Sequence, residues 1–299
     1  MTLPPQPLTF GSFLFPKASE GAALLDQASM AEELGFDLVA VPDHVDWPHY
    51  VDQWALMGAV LGRTNSIEVL SCVAALALRE PPAVLAKTAL SLDKLAPGRV
   101  HLGIGSGVVP GIAAVGGPQW PPGEALQRVR EAIELTREYW SGKENGSYHG
   151  RYYDLEEARL PAAPSPELDI WVGCIKPRLR RLTGEIADGW IPGMIDVNPD
   201  QIGPHVEELE AAIASAGRPR AAVRRVYNTI AKKLQPKSDG FLIGPVDQWV
   251  ELLTEIALGL GFDTFLFGDR EDTVNGLHTF ANEIIPALRE NYEKAVAGQ

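Results

Sequence analysis

The chain has 299 residues, of which 45% are hydrophobic and 22% charged, and its formal net charge is -13 at pH 7. A chain of this length and composition can bury the large core of a single α/β barrel. Its acidic balance excludes the extended basic surface that nucleic acids and anionic membranes require, so we expect neither as a partner. The sequence holds no apolar run of membrane-spanning length, and its first residues lack the pattern of a secretion signal. We therefore expect a soluble protein of the cytoplasm.

The distribution of cysteine and histidine predicts no metal site. The two cysteines, Cys72 and Cys174, each lie in an apolar, strand-like run, and two thiols alone cannot form a disulfide framework or a zinc site. No pair of histidines has the spacing of a zinc motif such as HExxH. A reducing compartment suits these free thiols.

The start of the chain alternates between strand and helix patterns. Residues 8–15 are typical of a strand, and 19–34 of a helix with Ser19 as its N-cap and Gly35 just past its end. A second strand over 36–41 stops at Pro42, Asp43 and His44, and a helix around 51–61 follows.

The clearest unit runs from residue 67 to residue 107. An apolar, β-branched run is followed by Pro81 and Pro82, which suit the first turn of a helix that continues to residue 95. A buried strand over 99–104 then ends in closely spaced glycines, so the unit is strand, helix, parallel strand. The glycines do not fit a dinucleotide-binding fingerprint, because Val108 stands where the third glycine is needed and the next helix begins only near residue 123. Bare backbone at this strand end suits a flat ligand that lies close to it.

The rest of the chain continues the alternation around two irregular segments. Residues 108–122 are rich in glycine and proline, and 142–168 form a polar excursion in which Tyr148, Tyr152 and Tyr153 indicate a hairpin. An amphipathic helix over 124–140 separates the two. Further strands are predicted over 170–172, 189–191, 222–231 and 264–267, and further helices over 177–187, 199–216, 246–260 and 274–289.

These segments make eight strands, each followed by a helix. We therefore predict one domain over residues 1–299, a (β/α)8 TIM barrel of the α/β class, with 108–122 inserted after strand 4 and 142–168 inserted before strand 5. The active sites of such barrels lie where strands end and helices begin. The strand ends thus supply the candidate site residues.

The end of the fifth strand carries a physical signal for an anion. Lys176 directly precedes Pro177 at the start of the predicted helix, and Arg178 follows. Cations at a helix N-terminus oppose the helix dipole, and a bound anion removes this conflict because free backbone N–H groups and these side chains contact it together. The alternative is a solvated basic face of the helix.

Four segments carry a resemblance to a known family: LGFDLVAVPDH, DKLAPGRVHLGIGSG, WVGCIKPRLRRLTGEIADGWIPG and GFDTFLFG. Together they resemble the bacterial luciferase-like monooxygenase superfamily, most of all its shorter members that use the deazaflavin coenzyme F420. The resemblance implies the same barrel and a bound cofactor, which is F420 or, as the alternative, FMN.

The resemblance also implies roles for strand-end residues. It places a non-proline cis peptide at Cys72-Val73, behind the flavin ring, and it places His44 at the reacting face, where a histidine can relay a proton. The alternatives are a small buried hydrophobe at Cys72 and a structural histidine beside Asp43. The cofactor-binding residues that it implies are Asp43, Cys72, Val73, Gly105, Ser106, Gly107, Gly173, Cys174, Ile175, Lys176 and Arg178.

The substrate side departs from the family's sugar-phosphate dehydrogenases. Those enzymes carry a glutamate just after the glycine turn, where this chain has Val108, so the resemblance implies a more apolar pocket. Its candidate lining residues are Trp47, Val108 and Trp190, with Trp120 as a further aromatic wall. For Trp47 and Trp120 the alternative is ordinary packing.

We therefore expect hydride transfer between F420 and a small organic substrate, with His44 as the proton donor. The alternative is an FMN-dependent monooxygenase that receives reduced flavin from a separate reductase. A third possibility is a flavin-binding protein without catalysis. Because the family commonly dimerises, the resemblance also implies a homodimer.

Overall fold

The computed structural model describes residues 7–193, 199–230, 232–269 and 273–298. Within this part of the chain, eight parallel strands and the two-residue strand Ala74–Ala75, which continues the third, form one sheet. Each of the eight pairs with the next along the chain. The first strand also pairs with the last, with Thr9 opposite Thr264, so the sheet closes into a barrel. The predicted fold class is therefore confirmed. The strands are β1 (Thr9–Phe13), β2 (Leu38–Val41), β3 (Glu68–Ser71), β4 (Val100–Gly105), β5 (Ile170–Gly173), β6 (Gly189–Ile191), β7 (Arg224–Asn228) and β8 (Thr264–Phe267).

Helices follow the strands and cover the outside of the barrel. They are α1 (Ala23–Glu33), α2 (Gln53–Arg63), α3 (Pro82–Leu95), α4 (Pro122–Tyr139), α5 (Pro177–Ile186), α6 (Pro199–Ser215) and α7 (Val246–Leu260). After β8 the helical segments Thr273–Thr279, Phe280–Ile284 and Ile285–Ala297 follow one another, the middle one being a π-helix. Among the described residues, no helix combines the length and the apolar character needed to cross a membrane.

The core has two layers because successive side chains of a strand point to opposite faces. The outer layer lies between the strands and the helices. The inner layer fills the barrel, and the buried indole of Trp171 is its largest side chain. Gly189 makes room for this indole, since a Cβ there would lie 2.4 Å from the Trp171 ring. The inner layer consists of Phe13, Phe15, Leu38, Ala40, Leu70, Trp171, Ile191, Val226, Ile230 and Leu266.

Two local predictions were wrong. Ser19 does not cap α1, because Gly21 adopts a φ of +51° that ends a short 3-10 turn over Ala18–Glu20, and the helix begins only at Ala23. The segment 108–122 is not wholly irregular, because Val109–Ala114 form a short helix. Gly35 does follow α1 with a φ of +81°, as a glycine past a helix end should.

The predicted hairpin in the second insertion is confirmed. Asn145–His149 and Asp154–Arg159 pair in antiparallel fashion, and the turn between them packs on α4. The buried carboxylate of Glu131, on α4, accepts the backbone N–H groups of Arg151, Tyr152 and Tyr153 at 3.1, 2.8 and 3.2 Å. One carboxylate thus fixes the tip of the hairpin against the barrel's outer helix.

Candidate active site

The carboxyl end of β2 begins with a buried ion pair. The Asp43 side chain is 1% exposed, and Arg79 donates to both of its oxygens, from Nε at 3.0 Å and from Nη2 at 2.6 Å. The backbone N–H of Ala75 donates to the same carboxylate at 2.9 Å. Arg79 also donates to Asp52, 2.7 Å away, which caps α2 by accepting two backbone N–H groups. The Asp43 carboxylate is therefore bound within the protein on both oxygens.

A bulge follows β3, as the resemblance implied. The peptide bond Cys72-Val73 is cis, which confirms that prediction. Leu70 pairs with His101 and Ala74 with Ile104, so β3 and its continuation carry one residue more than β4 between these pairs. The Ser71 hydroxyl bridges the gap, because it accepts the N–H of Gly103 and donates to the carbonyl of the same residue, both at 2.8 Å.

Gly105 of β4 and Gly173 of β5 leave space for the side chain of Val73, which the bulge places inside the barrel. A Cβ at Gly105 would lie 3.0 Å from Val73 Cγ2, and a Cβ at Gly173 would lie 2.8 Å from the same atom. The expectation that these glycines serve a flat ligand directly is therefore incomplete. The backbone they leave bare is in part covered by Val73, which together with Cys72 packs on the inner apolar layer and forms the floor of the open end.

His44 lies on the loop after β2, among aromatic rings. Its imidazole stacks on the indole of Trp47 with ring centres 4.5 Å apart and planes at 17°, and Tyr50 lies edge-on at 6.2 Å. Its Nδ1 is 3.7 Å from Oδ1 of Asp46, and the side chain is 35% exposed. His44 is therefore oriented by stacking and remains partly open to solvent at the carboxyl end of the barrel.

The end of β5 places two cations at a helix start. Ile175, Lys176 and Arg178 are exposed, and α5 begins at Pro177 with no side-chain cap for its first N–H groups. Within the described part of the chain, Lys176 and Arg178 form no ion pair. The neighbouring Arg180 is instead buried, and it binds the Ile175 carbonyl at 2.7 Å and the carboxylate of Glu208. Helix α5 thus presents free donors and two unpaired cations at this strand end.

Two residues of the predicted site face away from the open end. Cys174 is buried in the outer layer, where its Sγ lies 3.5 Å from Oγ1 of Thr183, and Trp190 is fully buried in the same layer. The indole N–H of Trp190 donates to the Cys174 carbonyl at 3.2 Å. Both residues support the β5 and β6 ends from outside, because alternate strand positions point into the barrel and these do not.

The end of β4 is more open. Gly107 has a φ of +96°, and a Cβ there would meet Ile112 at 2.4 Å, so the turn after Ser106 needs glycine. Val108 follows as the N-cap of the short helix and is 69% exposed. The ring of Trp120 lies under the guanidinium of Arg128, whose Cζ is 4.8 Å from the ring centre.

Sequence reasoning missed Arg79 and Asp52 as parts of this site. They lie 36 and 9 residues after Asp43, on different elements, and no local pattern connects them.

Charges and burial limit the chemistry that this site can perform. Burial raises the pKa of the Cys72 thiol to about 12, so the thiol stays protonated and does not act as a nucleophile near neutral pH. The open end thus combines an apolar floor at Cys72 and Val73, an oriented imidazole on the loop after β2, and a helix start after β5 with free N–H donors and two unpaired cations. This arrangement can hold a flat ring, move a proton at His44 and bind a phosphate.

Comparisons with known proteins agree with this geometry. The model of the luciferase-like monooxygenase family matches residues 8–231. A curated relative from Microbacterium testaceum, named F420-dependent glucose-6-phosphate dehydrogenase, is 34% identical over 191 residues, or 62% of this chain. The match spans 56% of that relative, so this chain covers little more than half its length.

Solved structures show the same fold. An F420-dependent secondary alcohol dehydrogenase, in complex with an F420-acetone adduct, superposes with a TM-score of 0.84 at 21% identity, covering 95% of this chain and all of the other. The coenzyme F420-dependent tetrahydromethanopterin reductase from Methanopyrus kandleri superposes with a TM-score of 0.82 at 17% identity, with the same coverage.

Proposed function

The chain belongs to the luciferase-like monooxygenase family, and from this membership we propose that it is an oxidoreductase that transfers a hydride between coenzyme F420 and a small organic substrate. The observation that carries the proposal is the apolar floor at Cys72-Val73 together with the partly exposed imidazole of His44 on the loop after β2. The curated relatives named as F420-dependent enzymes support the choice of cofactor.

The residues at the open end fit the two parts of such a cofactor. A planar deazaflavin ring is apolar on its faces, which suits the floor made by Cys72 and Val73. Its phosphate suits the start of α5, where uncapped N–H groups and the cations of Lys176 and Arg178 have no other anion among the described residues. Gly173, the last residue of β5, and Ile175, two residues beyond it, lie in sequence between the inward-facing strand and this helix start.

The chemistry is divided between cofactor and protein. Bound F420 would supply or accept the hydride. The protein orients the reactants, and His44 moves the accompanying proton, giving it to a carbonyl oxygen in reduction or taking it from a hydroxyl group in oxidation. We assign this proton to Nε2 of His44, because Nδ1 faces Asp46.

We propose an apolar substrate rather than a sugar phosphate. Exposed large hydrophobic side chains follow the ends of three strands: Val45 after β2, Val108 after β4 and Ile175 after β5. Exposed apolar side chains around a binding site favour an apolar ligand. Val108→Glu should therefore lower kcat/KM for an apolar secondary alcohol or its ketone at least tenfold, and Val108→Thr, of similar size, should lower it less. Equal effects of the two variants would refute this assignment.

The setting of the enzyme is also a proposal. Two free cysteines suit a reducing cytoplasm, and a homodimer follows from the family resemblance. Size-exclusion chromatography with light scattering would test the dimer by giving a mass near 65 kDa, about twice the 32.4 kDa of one chain.

The test of the cofactor is a side-by-side titration with F420 and FMN, followed by quenching of tryptophan fluorescence. We expect saturable F420 binding in the micromolar range, about -8 kcal/mol, and much weaker binding of FMN. Tighter FMN binding would reject this proposal in favour of an FMN-dependent monooxygenase that works with a separate reductase.

The test of catalysis compares two histidines of the same loop. His44→Asn should abolish turnover of F420 while leaving its binding within about threefold, a loss of 10² to 10⁴ in rate being usual for a proton-transfer group. His49→Asn, a change in the same aromatic cluster, is the control and should keep turnover within about threefold. F420 binding without turnover of any substrate would indicate a binding protein instead.

A further inference from the structure

One guanidinium closes the loop that carries His44. This loop begins at Asp43, two residues after the end of β2, and ends at Asp52, the N-cap of α2. Arg79 reaches both ends from the connection between β3 and α3, with two hydrogen bonds to Asp43 and one to Asp52. The loop's two anchor points are therefore joined through a single side chain of the connection between β3 and α3.

The same ion pair holds the floor of the open end. Asp43 also accepts the N–H of Ala75 at 2.9 Å, and Ala75 lies two residues after the cis bond Cys72-Val73. Because Asp43 is 1% exposed and both of its oxygens are occupied, its position follows those of Arg79 and Ala75. A shift of the guanidinium would thus move the floor and the His44 loop relative to each other.

We propose that Arg79 is a positioning residue, which fixes His44 against the Cys72-Val73 floor through Asp43 and Asp52. The proposal rests on the proposed function, in which His44 moves the proton and the floor supports the reacting ring. It assigns no contact between Arg79 and substrate or cofactor. In this proposal Asp43 is not a cofactor ligand, as the resemblance implied, but links the His44 loop to the Cys72-Val73 floor.

The chemistry of the contact requires arginine. A planar guanidinium donates to the two oxygens of one carboxylate in parallel and still has an N–H for a second carboxylate, whereas an ammonium group is a point donor without this fork. Arg79→Lys therefore keeps the charge but cannot reproduce all three hydrogen bonds. Displacing a reacting group by about 1 Å can lower a rate by about 100-fold, so loss of this geometry should reduce turnover strongly.

The experiment compares Arg79→Lys with Arg99→Lys in the full chain. Arg99 is a matched control because it is also half-buried and donates three hydrogen bonds, to Ile67 and Thr64, at the opposite end of the barrel. We expect Arg79→Lys to lower kcat at least tenfold with KM for F420 within about threefold, and Arg99→Lys to leave kcat within twofold. Asp52→Ser, which keeps a good N-cap but loses the contact with Arg79, should give a smaller loss than Arg79→Lys.

A second measurement needs neither cofactor nor turnover. Diethyl pyrocarbonate acylates accessible imidazoles, and mass spectrometry reports each histidine separately, with the exposed His149 as internal reference. We expect His44 of Arg79→Lys to react at least threefold faster than in the wild type, with no change in Arg99→Lys. Unchanged His44 labelling together with unchanged kcat would overturn the proposal, as would equal losses of kcat in the two lysine variants. If the wild type shows no F420 turnover, the proposed function fails, while faster labelling in Arg79→Lys alone still supports the positioning of His44.

Discussion

The stability of the barrel should depend on pH through His101, which lies at the amino end of the strands. His101 of β4 lies between two carboxylates, with Nδ1 2.6 Å from Asp169 and Nε2 2.9 Å from Glu68. Burial favours the neutral imidazole, but the two carboxylates outweigh it and raise the pKa of His101 to about 9, from an ordinary value of 6.5. The folded protein therefore holds a protonated His101 at pH values where the unfolded chain does not.

The sign of the effect follows from this raised pKa. Below pH 6.5 the stabilisation is fully present, and it is lost as the pH rises to about 9, since the unfolded chain releases this proton first. At about 1.4 kcal/mol for each pKa unit, the net shift of the His101 pKa contributes about 3 kcal/mol to stability at pH 6. For a chain of this length that corresponds to a change in Tm of about 5 °C.

The assay compares thermal unfolding of the wild type and His101→Gln from pH 6 to pH 9.5. Between these limits the wild type should lose about 5 °C more than the variant, because glutamine does not titrate. Glu68→Gln leaves the contact between His101 and Asp169 in place, so the pH dependence of its Tm should lie between those of the wild type and His101→Gln. It replaces His101→Gln as the test variant if that variant does not fold. Parallel pH profiles of wild type and both variants would refute the reasoning.

Two further predictions concern other buried groups. Glu131→Gln removes a charged acceptor from three backbone N–H groups, so it should lower stability by about 2 kcal/mol and speed hydrogen exchange at residues 150–153; unchanged exchange there would contradict the contact. Burial raises the pKa of the thiols of Cys72 and Cys174 to about 12 and about 11, so both should react with iodoacetamide at pH 8 much more slowly in the native than in the unfolded protein. Equal labelling rates in the two states would refute this.

Much of the fold could be predicted from the sequence, because it depends on short-range patterns. Each strand is a short apolar run and each helix repeats at helical spacing, so the order of elements follows directly. The closure of the sheet follows from their number. The start of α1 was missed because Ser19 has the chemistry of a cap, whereas the conformation of Gly21 decides where the helix begins. The short helix at Val109–Ala114 lay hidden in a segment whose glycines and prolines favour loops.

The candidate site was predictable only in part. The resemblance located the cis bond at Cys72-Val73, and the helix start at Lys176 could be found from charge and helix polarity. The contacts of Arg79 could not, since they join residues 27 and 36 positions apart. Whether a strand residue points into or out of the barrel decides whether it can line the site. Trp190 points outward and lies in the outer layer, so it does not line the open end as predicted.

The glycines at the strand ends offer a test of how the floor is built. If Gly105 is required because Val73 occupies the space above it, Gly105→Ala should destabilise the wild type by about 1 to 3 kcal/mol, the usual cost of overpacking. In a Val73→Ala background the same change should cost much less, because the Cγ2 atom 3.0 Å from the new Cβ is gone.

Gly103→Ala is the control for this cycle, which urea unfolding would measure. A Cβ at Gly103 would lie 1.9 Å from the backbone carbonyl oxygen of Ser71, which no change at Val73 removes, so this variant should be equally damaging in both backgrounds. Equal costs of Gly105→Ala in the two backgrounds would show that Val73 does not impose the glycine. The bare backbone at the end of β4 would then be available to a ligand, as the sequence alone suggested.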